Sequence, residues 1–149
     1  MEKIFEHFTV SILKLNKLVQ KIKAFEMEEF GLKAVHVMCA YYLIENPDGL
    51  TASELAKLTL EDKAAISRAL MQLREKGYVA YDPKTYNEKI VLTLAGKAFA
   101  EAVAQKAQRA VAAGSADQTE EERVQFYKTL ENIVANLKSY YDGLVGKDE

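Results

Sequence analysis

The sequence predicts a mostly α-helical fold with one small β-hairpin, and three observations predict it. Long stretches carry apolar residues three and four apart, two Thr-x-x-Glu pairs open helices, and two short segments rich in Val, Ile and Tyr flank a polar turn. In chain order they give four helices, the hairpin and two further helices. At 149 residues, 49% hydrophobic and 28% charged, the chain fits a single domain over 1–149 and buries a core without disulfides or metal.

Ile4, Phe8, Ile12, Leu15, Val19 and Ile22 form the stripe of a long first amphipathic helix, with lysines elsewhere around it. From Lys33 to Ile44 a near-continuous apolar run reads as a helix buried on most sides, ended by the turn residues Asn46-Pro47-Asp48-Gly49. Thr51 and Glu54 form a capping box opening a short helix to about Leu58. Asp62 is the N-cap of the next, which runs to Lys76 with Ile66, Leu70 and Leu73 inward, and Gly77 stops it.

Two short helices joined tightly are a helix-turn-helix. Tyr78 to Tyr81 and Lys89 to Leu94, the latter with Ile90, Leu92 and Leu94 alternating, then predict the hairpin, with Asp82 to Glu88 as its turn. The whole is a winged helix-turn-helix. Ala95 to about Ala113 is an alanine-rich helix broken at Gly114-Ser115. A second capping box at Thr119 and Glu122 opens a last helix striped by Val124, Tyr127, Leu130, Val134, Leu137, Tyr141 and Leu144.

The terminal stripes are longer than a small helix-turn-helix core can cover, so the first and last helices, about 1–25 and 97–146, are expected to pair two copies of the chain. The DNA-binding part is expected at about 33–96. Net charge is −2, yet it divides unevenly: residues 1–50 hold 6 basic and 7 acidic side chains, 51–97 hold 8 and 6, and 98–149 hold 6 and 9. Only the middle is positive, a modest asymmetry that chance scatter also produces.

In such a motif the second helix enters the major groove and flanking donors hold phosphates. With Ile66, Leu70 and Leu73 inward, Ala64, Arg68, Met71 and Gln72 face outward and Ser67 lies on the flank. Ala64 and Ala65 are small enough to touch thymine methyls, Arg68 suits a bidentate contact to guanine, and Ser67 serves base or phosphate. Lys63, a cation in the first helical turn, opposes the helix dipole, and a phosphate there would offset the penalty; an ordinary solvated lysine is the alternative. Thr51 and Ser53 at the start of the preceding helix, Gln72, and the wing residues Lys84 and Lys89 complete the candidate DNA-binding set. Exposed turns also collect lysine without any ligand.

The run from Leu55 to Val79, with Leu55-Ala56, Asp62-Lys63, Ile66-Ser67-Arg68, Leu73 and Lys76-Gly77, followed by Val91-Leu92-Thr93 and Ala95-Gly96, resembles the MarR family of bacterial winged-helix regulators. The resemblance implies a homodimer whose terminal helices interlock, two recognition helices spaced for a pseudo-palindromic operator in double-stranded DNA, and repression of transcription. It also implies that a small-molecule effector, a metal or an oxidant modulates binding through a cleft between the DNA-binding and dimerisation parts. The chain departs from the family pattern twice: Thr59-Leu60-Glu61 replaces the common Leu-Gly-Ile of the turn, and a shortened wing bears Tyr86-Asn87-Glu88-Lys89 where the family has Asp-x-Arg. A winged-helix protein-interaction module without sequence-specific DNA binding is the alternative function.

No catalytic constellation, phosphate loop or dinucleotide fingerprint is present, so neither an enzyme nor a cofactor is expected. His36 and Cys39 stand three apart on one helix, but a lone cysteine in an apolar run reads as a buried small hydrophobe, and no metal is expected. Glu26, Glu28 and Glu29 read as a solvated connector. With one cysteine, no secretory signal and no apolar run of about 18 residues, a cytoplasmic protein without a membrane span is expected.

Overall fold

The computed structural model describes residues 2–146; Met1 and residues 147–149, part of the expected domain span, lie outside the described residues. The described residues form two compact units, divided between residues 107 and 108.

The first unit begins with α1 (Glu2–Met27), followed by a 3-10 turn at Glu28–Phe30. Then come α2 (Val35–Glu45), α3 (Ala52–Thr59) and α4 (Lys63–Glu75). An antiparallel pair, β1 (Val79–Ala80) and β2 (Val91–Leu92), is in register Val79 with Leu92 and Ala80 with Val91. α5 (Leu94–Gly114) follows and α6 (Glu120–Val145) occupies the second unit. The predicted order of elements is the observed one.

The helix-turn-helix forms where local chemistry dictates. Thr51 accepts the Glu54 N–H at 3.1 Å while the Glu54 carboxylate accepts the Thr51 N–H at 2.9 Å, so both ends of the predicted box are made. Asp62 caps α4 by accepting the Ala65 N–H at 2.7 Å. Leu55 of α3 and Ile66, Ala69, Leu70 and Leu73 of α4 are buried together with Leu43 of α2, Val79, Ile90, and Phe99, Ala100 and Val103 of α5. The spacing 66, 69, 70, 73 leaves the opposite face of α4 in solvent, as the helical period requires.

The turn between α3 and α4 solves the missing glycine at a cost. Leu60 takes the left-handed conformation, φ 60°, that glycine would adopt freely, and its side chain is 91% exposed. Nothing apolar compensates that backbone strain. Leu60→Gly should therefore raise stability by about 1 kcal/mol, read as a higher urea midpoint at unchanged slope; an unchanged or lower midpoint would show that the turn is not strained.

Two sequence expectations for the wing need correction. The strands are two residues each, shorter than Tyr78–Tyr81 and Lys89–Leu94. Leu94 does not continue the alternation; it is the first residue of α5 and 86% exposed, because Thr93 accepts the Gly96 N–H at 3.0 Å and so starts the helix. A third extended piece, Leu50, bridges Ile90 through a reciprocal pair of backbone hydrogen bonds at 3.1 and 2.8 Å. The acidic connector also differs: Glu26 and Glu29 both pair with Lys106 of α5, the former at 2.6 Å.

In the second unit the predicted box is made as well, Thr119 with Glu122 at 2.8 and 3.2 Å. α6 holds no buried residue, and Val124, Tyr127, Val134, Leu137, Tyr141 and Leu144 are all exposed. α1 is similar along most of its length, with Phe5 and Phe25 each 72% exposed.

Candidate nucleic-acid interface

The solvent face of α4 carries the residues nominated from the sequence. Lys63, Ala64, Ser67, Arg68 and Gln72 are exposed, and Ala65 is half-buried with its N–H taken by Asp62. Arg68 has no salt bridge among the described residues, so its five donors are available to a ligand. Ser53 is half-buried at the start of α3. Thr51 stands apart from the rest: it is 7% exposed and its hydroxyl is engaged by the cap, so its role is to fix the start of α3.

Between α4 and the wing runs a groove of about 360 Å³. Ser53, Lys63, Ser67 and Met71 line its helical side, and Thr85 and Tyr86 line the wing side. Lys84 and Lys89 are exposed on the wing without lining the groove, and Ala64, Arg68 and Gln72 lie on the helix outside it. The structure thus joins Ser53, Lys63 and Ser67 into one concave surface beside a convex helix face.

The wing loop is held by its own acids. Asp82 accepts the Lys84 N–H and the Thr85 hydroxyl, each at 2.9 Å, and the Glu88 carboxylate accepts the Asp82 N–H. Those hydrogen bonds, the Lys84 backbone first and Thr85 next, hold the Asp82 carboxyl below the usual carboxylate range. At the foot of the wing the Arg74 guanidinium lies 5.7 Å from the centre of the Tyr81 ring, a cation–π contact. Tyr86, at the tip, was not singled out from the sequence as a contact residue; no periodicity marks a loop aromatic, and its exposure emerges only from the fold.

His36 and Cys39 lie in the core rather than at a site. Burial pushes the Cys39 thiol up to about 12, the Glu61 charge adding to the effect, so the reactive thiolate is absent at neutral pH. The His36 Nδ1 lies 2.9 Å from the Lys33 backbone N and 3.1 Å from the Lys33 carbonyl oxygen, accepting from the first or donating to the second according to the ring's tautomer. Nε2 has no partner in hydrogen-bond geometry, although the Gln72 side chain and Ala69 backbone of α4 are near enough to favour a charged ring slightly. Burial prevails and holds the imidazole below the ordinary histidine range. Among the described residues no group of three or more His, Cys, Asp or Glu could hold a metal ion, and no helix is long and apolar enough to cross a membrane.

That depression has a testable sign. Below about pH 6.5 the unfolded chain protonates at His36 while the folded chain does not, so stability is full above that pH and falls as pH drops toward the folded value. One proton limits the slope to about 1.4 kcal/mol per pH unit. Urea midpoints between about pH 7 and 5.5 should fall more steeply for the native chain than for His36→Gln. Parallel slopes would show that His36 is not kept neutral.

A half-buried helix pair, a capped and exposed second helix and a hairpin returning beside it define a winged helix-turn-helix. Residues 30–84 match the model of the MarR family, and this block of the chain is similar to that family. A MarR transcriptional regulator from Methanosarcina mazei is similar in structure with a TM-score of 0.80 at 19% identity, over 90% of this chain and 91% of that one. A MarR protein from Peptoclostridium difficile gives 0.78 at 21% identity, over 92% and 91%. A Mycobacterium tuberculosis MarR family protein in complex with salicylic acid gives 0.63 at 24% identity, over 82% and 94%. None of the curated proteins matches the chain significantly.

Proposed function

We propose that this chain is a homodimeric transcriptional repressor that binds double-stranded DNA at a pseudo-palindromic operator in the cytoplasm. The observation carrying this reading is the solvent face of α4, where small residues and Arg68, free of any salt bridge among the described residues, adjoin a groove whose helical side holds Ser53, Lys63 and Ser67 and whose wing side holds Asp82 and Glu88. Small side chains let the helix approach base edges, and Arg68 supplies a fork for guanine. Lys63, Ser53 and Ser67 suit phosphate, and Lys84 and Lys89 add charge from the wing. Ala64, Ala65 and Gln72 complete the contact face, with Thr51 fixing α3 beneath it.

The exposed apolar lengths of α1 and α6 favour a second copy of the chain as their cover, since a lone soluble chain rarely leaves so much apolar surface open. On this reading the winged helix spans about 33–96, and about 1–25 and 97–146 dimerise. A small aromatic acid is the first effector to try, by analogy with the mycobacterial protein bound to salicylic acid.

The test is a gel-shift titration against DNA from the chain's own upstream region and against sequences selected from a random pool. Binding should weaken steeply with salt, because every neutralised phosphate releases counterions. Absent or salt-insensitive binding on both DNA sets overturns the reading and leaves a protein-interaction module.

A further inference from the structure

Tyr86 occupies the tip of the wing with 90% of its surface exposed. A large aromatic left this open gains nothing from the fold, because burial is the source of its usual stabilisation. The loop around it is nevertheless well held. Asp82 fastens Lys84 and Thr85, Glu88 fastens Asp82, and Asn87 turns the chain through a left-handed conformation, φ 58°, directly after Tyr86. Both wing carboxylates hydrogen-bond within the loop while also lining the groove, and Lys84 and Lys89 stay exposed on the same wing. The same ring borders the groove whose far wall holds Lys63, Ser67 and Met71.

We propose that Tyr86 is the wing's contact with duplex DNA, its ring lying against deoxyribose and base edges of the strand whose phosphates Lys63 and Ser67 hold. The assignment rests on the DNA-binding reading above and adds to it how a wing lacking a forked cation engages its target. Aromatic faces pack on bases with little regard to sequence, and apolar side chains wedge into the minor groove in other proteins. An uncharged ring displaces no counterions, so its contribution differs in kind from that of a lysine. Positive charge from Lys63, Lys84 and Lys89 supplies the complementarity to the strand that the ring itself lacks.

The test uses full-length Tyr86→Ala, Tyr86→Phe and Tyr86→Trp against the DNA that the native chain binds. The chain has no tryptophan, so Tyr86→Trp creates a single fluorescent reporter at the tip. Tyr86→Ala should weaken binding about tenfold with an unchanged salt slope, and Tyr86→Phe should stay within about twofold. Emission from the tryptophan should be quenched when DNA is added, and urea midpoints of all three should match the native chain. Native-strength binding by Tyr86→Ala, or unaltered emission on saturation with DNA, overturns the assignment while leaving DNA binding intact. Failure of the native chain to bind any DNA overturns both.

Discussion

Gly96→Ala is expected to destabilise the chain by about 3 kcal/mol or more, the largest loss from any single methyl group added here. A Cβ at position 96 would run into the backbone carbonyl of Tyr78. That carbonyl cannot retreat, since it accepts the Thr93 N–H at 3.0 Å. Thr93 is itself tied at both ends, accepting the Gly96 N–H at 3.0 Å and donating to the Gly77 carbonyl at 2.5 Å. The Tyr78 ring further stacks on Phe99, one turn along α5, with centroids 4.5 Å apart. The end of α4 and the start of α5 are thus one close-packed joint that only glycine permits.

Gly77→Ala is the control: its φ is 77° but nothing lies within 4 Å of an added Cβ. It should cost only about 1 kcal/mol, the left-handed strain alone. Urea unfolding of both variants separates the two causes, and equal losses would show that the Tyr78 carbonyl is not the obstacle.

That joint explains which parts of the fold were legible. The pattern Val91-Leu92-Thr93 with Ala95-Gly96 was readable as a family signature, but its physical content, a threonine cap and a forced close approach, required the partner at Gly77 and Tyr78. Caps and helical stripes were readable because their partners lie three or four residues away: Thr51 with Glu54, Asp62 with Ala65, and Ile66 with Leu70 and Leu73. Leu50 finds Ile90 forty residues on, and a single bridging residue has no periodicity to announce it. Leu94 misled for the converse reason, because alternation with Ile90 and Leu92 persists although the Thr93 cap has already begun a helix. At the interface, the outward face of α4 followed from helical phase alone, whereas the groove and the exposure of Tyr86 depend on how the wing folds back.

Arg68→Ala should carry the largest functional effect, a loss of about 1–3 kcal/mol on specific DNA, or about five- to 150-fold in affinity. Arg68 stands one helical turn beyond Ala64 on the exposed face of α4, and no carboxylate among the described residues claims its guanidinium. A planar fork matched to the O6 and N7 of guanine loses both hydrogen bonds at once when truncated, and the penalty vanishes on sequences without that guanine. Lys84→Ala should behave differently. Its ammonium is a point charge on the wing, outside the groove, so its loss should weaken specific and random duplexes alike and shallow the salt dependence by roughly one phosphate contact. Parallel titrations on selected and random DNA at several salt concentrations distinguish the two patterns. If both variants lost affinity equally on both DNA sets, base reading would have to lie elsewhere on α4, with Ser67 and Gln72 the nearest exposed alternatives.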